Sequence, residues 1–93
     1  MSLKFEWDDK KAISNLKKHG ISFEEASTVF GDWLAITIED PLHSDDESRL
    51  IIIGKSEYLN TLVVVHVERH EAIRIISARS ATKNEQNFYE EQR

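Results

Sequence analysis

The second half of the chain reads Arg49-Leu-Ile-Ile-Ile-Gly54, then Thr61-Leu-Val-Val-Val-His-Val-Glu68, then Ala72-Ile-Arg-Ile-Ile-Ser-Ala78. Each run is rich in β-branched residues, which favour strands, and connections of turn length separate the three. Connections this short require antiparallel neighbours. An earlier run, Leu34-Ala-Ile-Thr-Ile-Glu39, also alternates apolar and polar residues. The sequence therefore predicts a four-stranded antiparallel meander.

A helix is predicted before these strands. Asp8 or Asp9 can cap its N-terminus, and Gly20 stands where a left-handed C-terminal cap is favoured. The apolar stripe of this helix is narrow and consists of Ile13 and Leu16.

Two further helices begin with the spacing of a capping box. Ser22 with Glu25 opens one of them before the first strand, and Thr82 with Glu85 opens the other after the last strand. The predicted order is helix, helix, four-stranded meander, helix. This is an α+β fold, and 93 residues suffice for one domain over residues 1–93.

Composition restricts the chemistry of the chain. It has no cysteine, which excludes disulfides, thiolate metal sites and a cysteine nucleophile. The N-terminus carries acids and aromatics where a signal peptide needs an apolar run, and the longest apolar runs are strand-sized. We therefore expect a cytoplasmic protein that does not associate with membranes.

Charge is distributed unevenly along the chain. The formal net charge is −5, which by itself argues against a nucleic-acid binder. However, residues 21–48 carry eight acidic groups and no lysine or arginine, while residues 49–83 carry six basic and three acidic groups. A basic face is therefore compatible with an acidic protein, and the acidic segment suits a basic protein partner.

Two arginines mark the end of the last predicted strand. Arg74 and Arg79 are five residues apart, so their side chains point to opposite faces unless a bulge near Ser77 changes the phase. Guanidinium groups keep their charge and match phosphate geometry, which makes this strand end a candidate nucleic-acid site. The alternative is that each arginine forms an ion pair with one of the many carboxylates.

Several segments, taken in order, resemble the BrnT family of toxins from type II toxin–antitoxin systems. They are Phe5-Glu-Trp-Asp8, Leu16-Lys-Lys-His-Gly-Ile-Ser-Phe-Glu-Glu-Ala26, Asp40-Pro41, Arg74-Ile-Ile-Ser-Ala-Arg79 and Tyr89. The resemblance implies a RelE-like ribonuclease fold that stops translation by cutting RNA. It also implies neutralisation by a BrnA-like antitoxin with a ribbon-helix-helix part, with operator DNA bound only through the complex.

RNA cleavage in folds of this kind uses the neighbouring 2′-hydroxyl as nucleophile and requires no metal or cofactor. The protein must then accept a proton, stabilise charge on the phosphate and assist the leaving 5′-oxygen. Arg79, at the end of a strand and beside a helix N-terminus, is the first candidate for the phosphate, followed by Arg74 and Arg69. His66 is the candidate acid or base, with a hydrogen-bonded core histidine as the alternative.

Substrate-binding candidates lie elsewhere in the sequence. Lys18 and His19 end the basic first helix, where they hold RNA backbone if that helix borders the cleft; the alternative for His19 is a charge that complements the helix dipole. Tyr89 is a candidate stacking ring and Glu85, four residues before it, a candidate base. The alternatives are a core tyrosine and a capping glutamate. Trp7 and Trp33 are predicted to be packing anchors, with base stacking as the alternative.

The acidic loop around His43 contains oxygen ligands but lacks the spacing of a calcium loop, so we expect a solvated loop and no metal site. The alternative is that this loop, together with Glu24, Glu25 and Asp32, docks a basic segment of the antitoxin. A second class of function is also open. In it the chain is a non-catalytic module that binds the antitoxin and modulates its grip on operator DNA.

Overall fold

The computed structural model describes residues 3–41 and 48–92. The chain begins with a short strand, β1 (Lys4–Glu6), followed by α1 (Asp9–His19), α2 (Phe23–Thr28) and a 3-10 turn at Val29–Gly31. The remaining elements follow in order: β2 (Ile36–Glu39), β3 (Arg49–Lys55), β4 (Thr61–Arg69), β5 (Ala72–Ser80) and α3 (Lys83–Glu91). The α+β class and the three helices are confirmed.

Over residues 3–41 and 48–92 the sheet has five strands, in the order β1-β5-β4-β3-β2. Strands β2 to β5 form the predicted antiparallel meander, but β1 adds a parallel strand beside β5, so the four-stranded antiparallel prediction was wrong in this detail. The two N-terminal helices therefore follow a strand instead of opening the fold. With three residues, β1 is too short to show a period of two in the sequence.

Local signals placed the helix ends correctly. Asp8 accepts hydrogen bonds from the backbone N–H groups of Lys10 and Lys11, and Gly20 adopts the left-handed conformation with φ of 73°. Thr82 and Glu85 form the complete capping box of α3. At α2 the Ser22 side chain accepts from the backbone of Glu25.

Glycine is expected to matter at one of these ends. Replacing Gly20 with alanine should lower the free energy of unfolding by about 1 kcal/mol, because an L-residue is strained at this φ. The space around the added Cβ is open, so the cost is that of the backbone alone. Gly31→Ala is the control, since Gly31 has equally open space and its φ is not positive. Urea unfolding of both variants measures the difference, and equal effects would contradict the strain argument.

Two apolar clusters lie on opposite faces of the sheet. The larger one joins α1 and α2 to the sheet and contains fully buried Phe23, Leu62 and Val64. The smaller one joins α3 to the other face through Ile53, Val63 and Tyr89. These two faces are called the α1/α2 face and the α3 face below.

Helix α1 meets the sheet through a face that the sequence did not indicate. Ile13 and Leu16 are 58% and 51% exposed, whereas Ala12 packs against the core and Asn15 is buried. The Asn15 Nδ2 group donates to the carbonyls of Ile21 (3.0 Å) and Ala78 (2.8 Å), and its Oδ1 accepts from the Ala78 N–H (3.1 Å). This amide thus connects α1 to β5 next to Arg79.

Candidate nucleic-acid interface

A bulge in β5 decides where the arginines point. Val65 pairs with Ser77 and the next residue of β4 pairs with Ile75, so the register passes over Ile76. Paired residues in neighbouring strands share a face. Arg74 pairs with Val67 and Arg79 pairs with Val63. Val63 lies in the cluster on the α3 face, and Val67, four residues further along β4, points to the same face. The bulge near Ser77 therefore brings the two arginines onto one face.

Two rows of paired residues cross the α3 face and carry these arginines. One row runs Arg49, Val67, Arg74, Glu6 across β3, β4, β5 and β1. The other runs Ile36, Ile53, Val63, Arg79 from β2 to β5. Arg69, two residues beyond Val67, is exposed on the same face. We call this set the arginine face; its arginines are Arg49, Arg69, Arg74 and Arg79.

Arg49 was missed by the sequence argument. It lies 25 residues before Arg74, and no local pattern connects the two. They become neighbours in a row only because β3 and β5 both pair with Val67 of β4. The sequence does show that Arg49 shares a strand face with Ile51 and Ile53. That pattern points to the arginine face only when the pairing register of β3 with β4 is known.

Arg79 forms a bidentate ion pair with Glu85, with Nη1 and Nη2 each 2.8 Å from a carboxylate oxygen. The hydrogen bond from Arg79 is the main reason that the pKa of Glu85 falls to about 2, and a bond from the Thr82 backbone lowers it further. The Arg79 side chain is still 41% exposed. Arg79 is therefore in an ion pair with a carboxylate, as the alternative to a free phosphate-binding arginine proposed. Glu85 caps α3, as the alternative to a catalytic base proposed.

Arg74 also has a carboxylate partner. Its Nη1 lies 2.9 Å from Glu6 Oε2, and the two side chains are 27% and 43% exposed. Because β1 pairs in parallel with β5, Glu6 stands directly beside Arg74 in the sheet. Both arginines are therefore held in surface ion pairs that face solvent, and ion pairs of this kind contribute only about 0–1 kcal/mol.

The Glu85 carboxylate gives a prediction about pH. Its pKa is about 2 in the folded chain against an ordinary value of 4.5. The ionised carboxylate therefore stabilises the fold at a pH above about 4.5, and this stabilisation is lost as the pH falls toward 2. We expect the difference in unfolding free energy between the wild type and Glu85→Gln to be constant near neutral pH. The difference should shrink below a pH of about 4.5.

Denaturant unfolding at a series of pH values measures this difference. Glutamine is suited to the comparison because it also serves at this position of a capping box. A difference that stays the same down to a pH of about 2 would show that the ion pair does not stabilise the fold.

His66 does not lie on the arginine face. It pairs with Ile75 and Leu50, is 2% exposed, and its ring meets Phe30 edge-on with centroids 4.8 Å apart. Its Nδ1 is 3.3 Å from the carbonyl oxygen of Val64. Burial lowers the pKa of His66. His66 is therefore enclosed on the α1/α2 face, where the core-histidine alternative places it, and a catalytic role for His66 remains a prediction.

Tyr89 is also in the core. It is 1% exposed, and its hydroxyl donates to Asp32 Oδ2 at 2.6 Å. Tyr89 therefore lies where the core-tyrosine alternative places it, and a role in binding substrate remains a prediction.

Lys18 and His19 are exposed in the last turn of α1, where cationic groups complement the helix dipole. Because α1 packs on the α1/α2 face, the structure does not bring these two residues onto the arginine face. Their role in holding RNA remains a prediction.

The two tryptophans differ. Trp7 packs edge-on against Phe23 with ring centroids 5.9 Å apart, which confirms it as a packing anchor. Trp33 is 99% exposed, so the same prediction was wrong for Trp33.

The prediction of a solvated loop around His43 falls on residues 42–47, which lie outside the described residues. Within the described ranges, no helix has the length and apolar character needed to cross a membrane.

A protein family and a solved structure are similar to this chain. The sequence model of a family described as the ribonuclease toxin BrnT of type II toxin–antitoxin systems matches residues 7–85. A 1.1 Å crystal structure of the Brucella abortus ribonuclease toxin BrnT is 27% identical, with a TM-score of 0.65, and the match covers 88% of this chain and 100% of that one. No curated protein matches the chain. The resemblance stated from the sequence is confirmed, and the matched residues include Arg74, Arg79 and Glu85.

Proposed function

Because this chain belongs to the BrnT family of ribonuclease toxins of type II toxin–antitoxin systems, we propose that it is a metal-independent endoribonuclease that inhibits translation by cutting RNA. Its site of action is the cytoplasm. Its antitoxin is BrnA-like, with a ribbon-helix-helix part, and operator DNA is bound only through the toxin–antitoxin complex. The observation that carries the proposal is the placement of four arginines on one sheet face, Arg74 and Arg79 by the β5 bulge and Arg49 and Arg69 by strand pairing.

The arginine face suits an RNA backbone. The rows of Arg74 and Arg79 are four residues apart along β4, which is about 13 Å at the rise of a strand. A strand of RNA lying across both rows meets cations at more than one phosphate. Between the rows, Ile51, Val65 and Ser77 are half-buried and leave an uncharged surface for sugars and bases.

Phosphate must replace carboxylate at these arginines. Arg79 and Glu85 are 41% and 28% exposed, so water screens the pair and lowers the cost of opening it. A phosphate offers the same paired oxygens that Glu85 supplies. Glu85 then remains held by the Thr82 N–H group, 2.8 Å from its Oε1.

The proposed reaction is an internal transfer at phosphorus. The 2′-oxygen attacks the adjacent phosphorus, the bond to the 5′-oxygen breaks, and a 2′,3′-cyclic phosphate and a free 5′-hydroxyl result. The 2′-hydroxyl proton passes to solvent, and the 5′-oxygen takes a proton from solvent. Arg79 stabilises the charge that develops on the phosphate oxygens, with Arg74 and Arg69 in supporting positions.

Incubation of the purified protein with single-stranded RNA in excess chelator tests the proposal. We expect cleavage that survives chelation and yields cyclic phosphate ends. Cleavage that stops on chelation and returns with a divalent cation would overturn metal independence.

Intact RNA alongside tight antitoxin binding would favour the second candidate, a non-catalytic module that modulates operator binding. The acidic segment within residues 21–41 suits a basic antitoxin as partner.

A further inference from the structure

The turn between β3 and β4, residues 56–60, is held to α2 by a buried polar network. Ser56 Oγ donates to Glu25 Oε2 at 2.6 Å, and Asn60 Nδ2 donates to the same oxygen at 2.8 Å. The Glu57 N–H group donates to Thr28 Oγ1 at 2.9 Å. Ser56 and Glu25 are both buried. This turn is therefore rigidly anchored before any partner binds.

The anchored turn presents apolar side chains to solvent. Tyr58 and Leu59 are 67% and 76% exposed, and Leu59 has a φ of 67°. A leucine in the left-handed region is unusual, because glycine or asparagine fits there with less strain. Strained positions of this kind recur at binding sites.

A second turn faces the first across a surface cavity of about 340 Å³. Asp32 and Leu34 line the cavity on this side, and the Asp32 side chain closes the turn by accepting the Leu34 N–H at 3.0 Å. Trp33 stands at the tip of the turn with 99% of its surface exposed. We call the set the Trp33 surface; it consists of Leu34 and Leu59, which line the cavity, and of exposed Trp33 and Tyr58, which are their neighbours in the two turns.

Charge around the cavity favours a protein over RNA. Among the described residues, its lining carries the carboxylates of Asp32 and Glu57 and the ammonium of Lys55, and Ser56 of the lining donates to the buried carboxylate of Glu25. Phosphates gain affinity from cations, so this lining opposes an RNA backbone. A basic segment with a large apolar side chain has the complementary chemistry.

We infer that the Trp33 surface is a docking site for the antitoxin of this system, through a basic segment whose large apolar side chain enters the cavity. The inference rests on the proposed function only for the existence of an antitoxin, which the family implies. Tryptophan is one of the residue types that most often carry binding energy in protein interfaces, and Trp33 is exposed in a turn that borders the cavity. The surface is distinct from the arginine face, so its truncation leaves the proposed RNA site intact.

Titration of the toxin with its purified BrnA-like antitoxin tests the inference. Trp33→Ala should weaken binding by about 10- to 100-fold, the range of an interface residue with a large contribution. Ile13→Ala is the matched control, since Ile13 is 58% exposed on α1, and it should bind like the wild type. In the Trp33→Ala variant, RNA cleavage should be unchanged.

A second measurement uses the fluorescence of the two tryptophans. In the free toxin, iodide should quench the emission of exposed Trp33, and the antitoxin should protect it. Wild-type affinity in Trp33→Ala, or quenching that the antitoxin does not change, would overturn the inference. Loss of RNA cleavage with unchanged antitoxin affinity would also overturn it and assign the surface to RNA. If the toxin cuts no RNA but binds the antitoxin through Trp33, the proposed catalysis fails and this inference stands.

Discussion

Replacing Arg79 with alanine is expected to lower the rate of RNA cleavage by about 100-fold or more. Arg79 presents a bidentate guanidinium beside the N-terminus of α3, where it can stabilise charge that develops on the phosphate. The fold should survive, because the Thr82 side chain and the Glu85 backbone still cap the helix. Single-turnover cleavage of a labelled RNA measures the effect, and circular dichroism checks the fold.

Two further variants sharpen this result. Arg79→Lys keeps the charge but loses the planar fork, so its rate should lie between those of the wild type and alanine. Lys10→Ala removes the same charge from α1, away from the arginine face, and should change the rate by no more than about two-fold. A rate in Arg79→Ala equal to that in Lys10→Ala would reject Arg79 as the phosphate-stabilising group.

Replacing Asn15 with alanine is expected to lower the free energy of unfolding by about 3 kcal/mol. The variant loses three hydrogen bonds and leaves the backbone N–H and C=O of Ala78 and the C=O of Ile21 without the amide that serves them. Each such buried group costs about 1–3 kcal/mol, and water entering the space offsets part of the sum. For a chain of this size the midpoint of thermal unfolding should fall by about 12 °C or more.

Ser14→Ala is the control for this variant. Ser14 is exposed on the same helix, so its truncation should leave stability nearly unchanged or slightly raise it. Thermal and denaturant unfolding of both variants give the comparison. Equal stability in Asn15→Ala and Ser14→Ala would mean that the amide does not hold α1 to β5. A ribonuclease assay at low temperature should also show reduced cleavage in Asn15→Ala, because Ala78 precedes Arg79.

The sequence by itself determined the local features of this protein. The caps at Gly20, Ser22 and Thr82 were predicted, and the N-cap of α1 was narrowed to Asp8 or Asp9, because each cap depends on hydrogen bonds or backbone angles within three or four residues. The four strands of the meander were predicted for the same reason, since β-branched runs and short connections are local signals. The family was also recognisable, because ordered motifs along the chain carried the resemblance.

Only the tertiary structure decided which faces and partners the functional side chains have. The bulge at Ile76 turned Arg74 and Arg79 to one side, and strand pairing added Arg49 to the row. Glu6 pairs with Arg74 from 68 residues away. Tertiary packing buried His66 and Tyr89 in the core, while Trp33 was left exposed. Register and burial depend on contacts between distant segments, and a period of two or 3.6 residues does not specify which segments will meet.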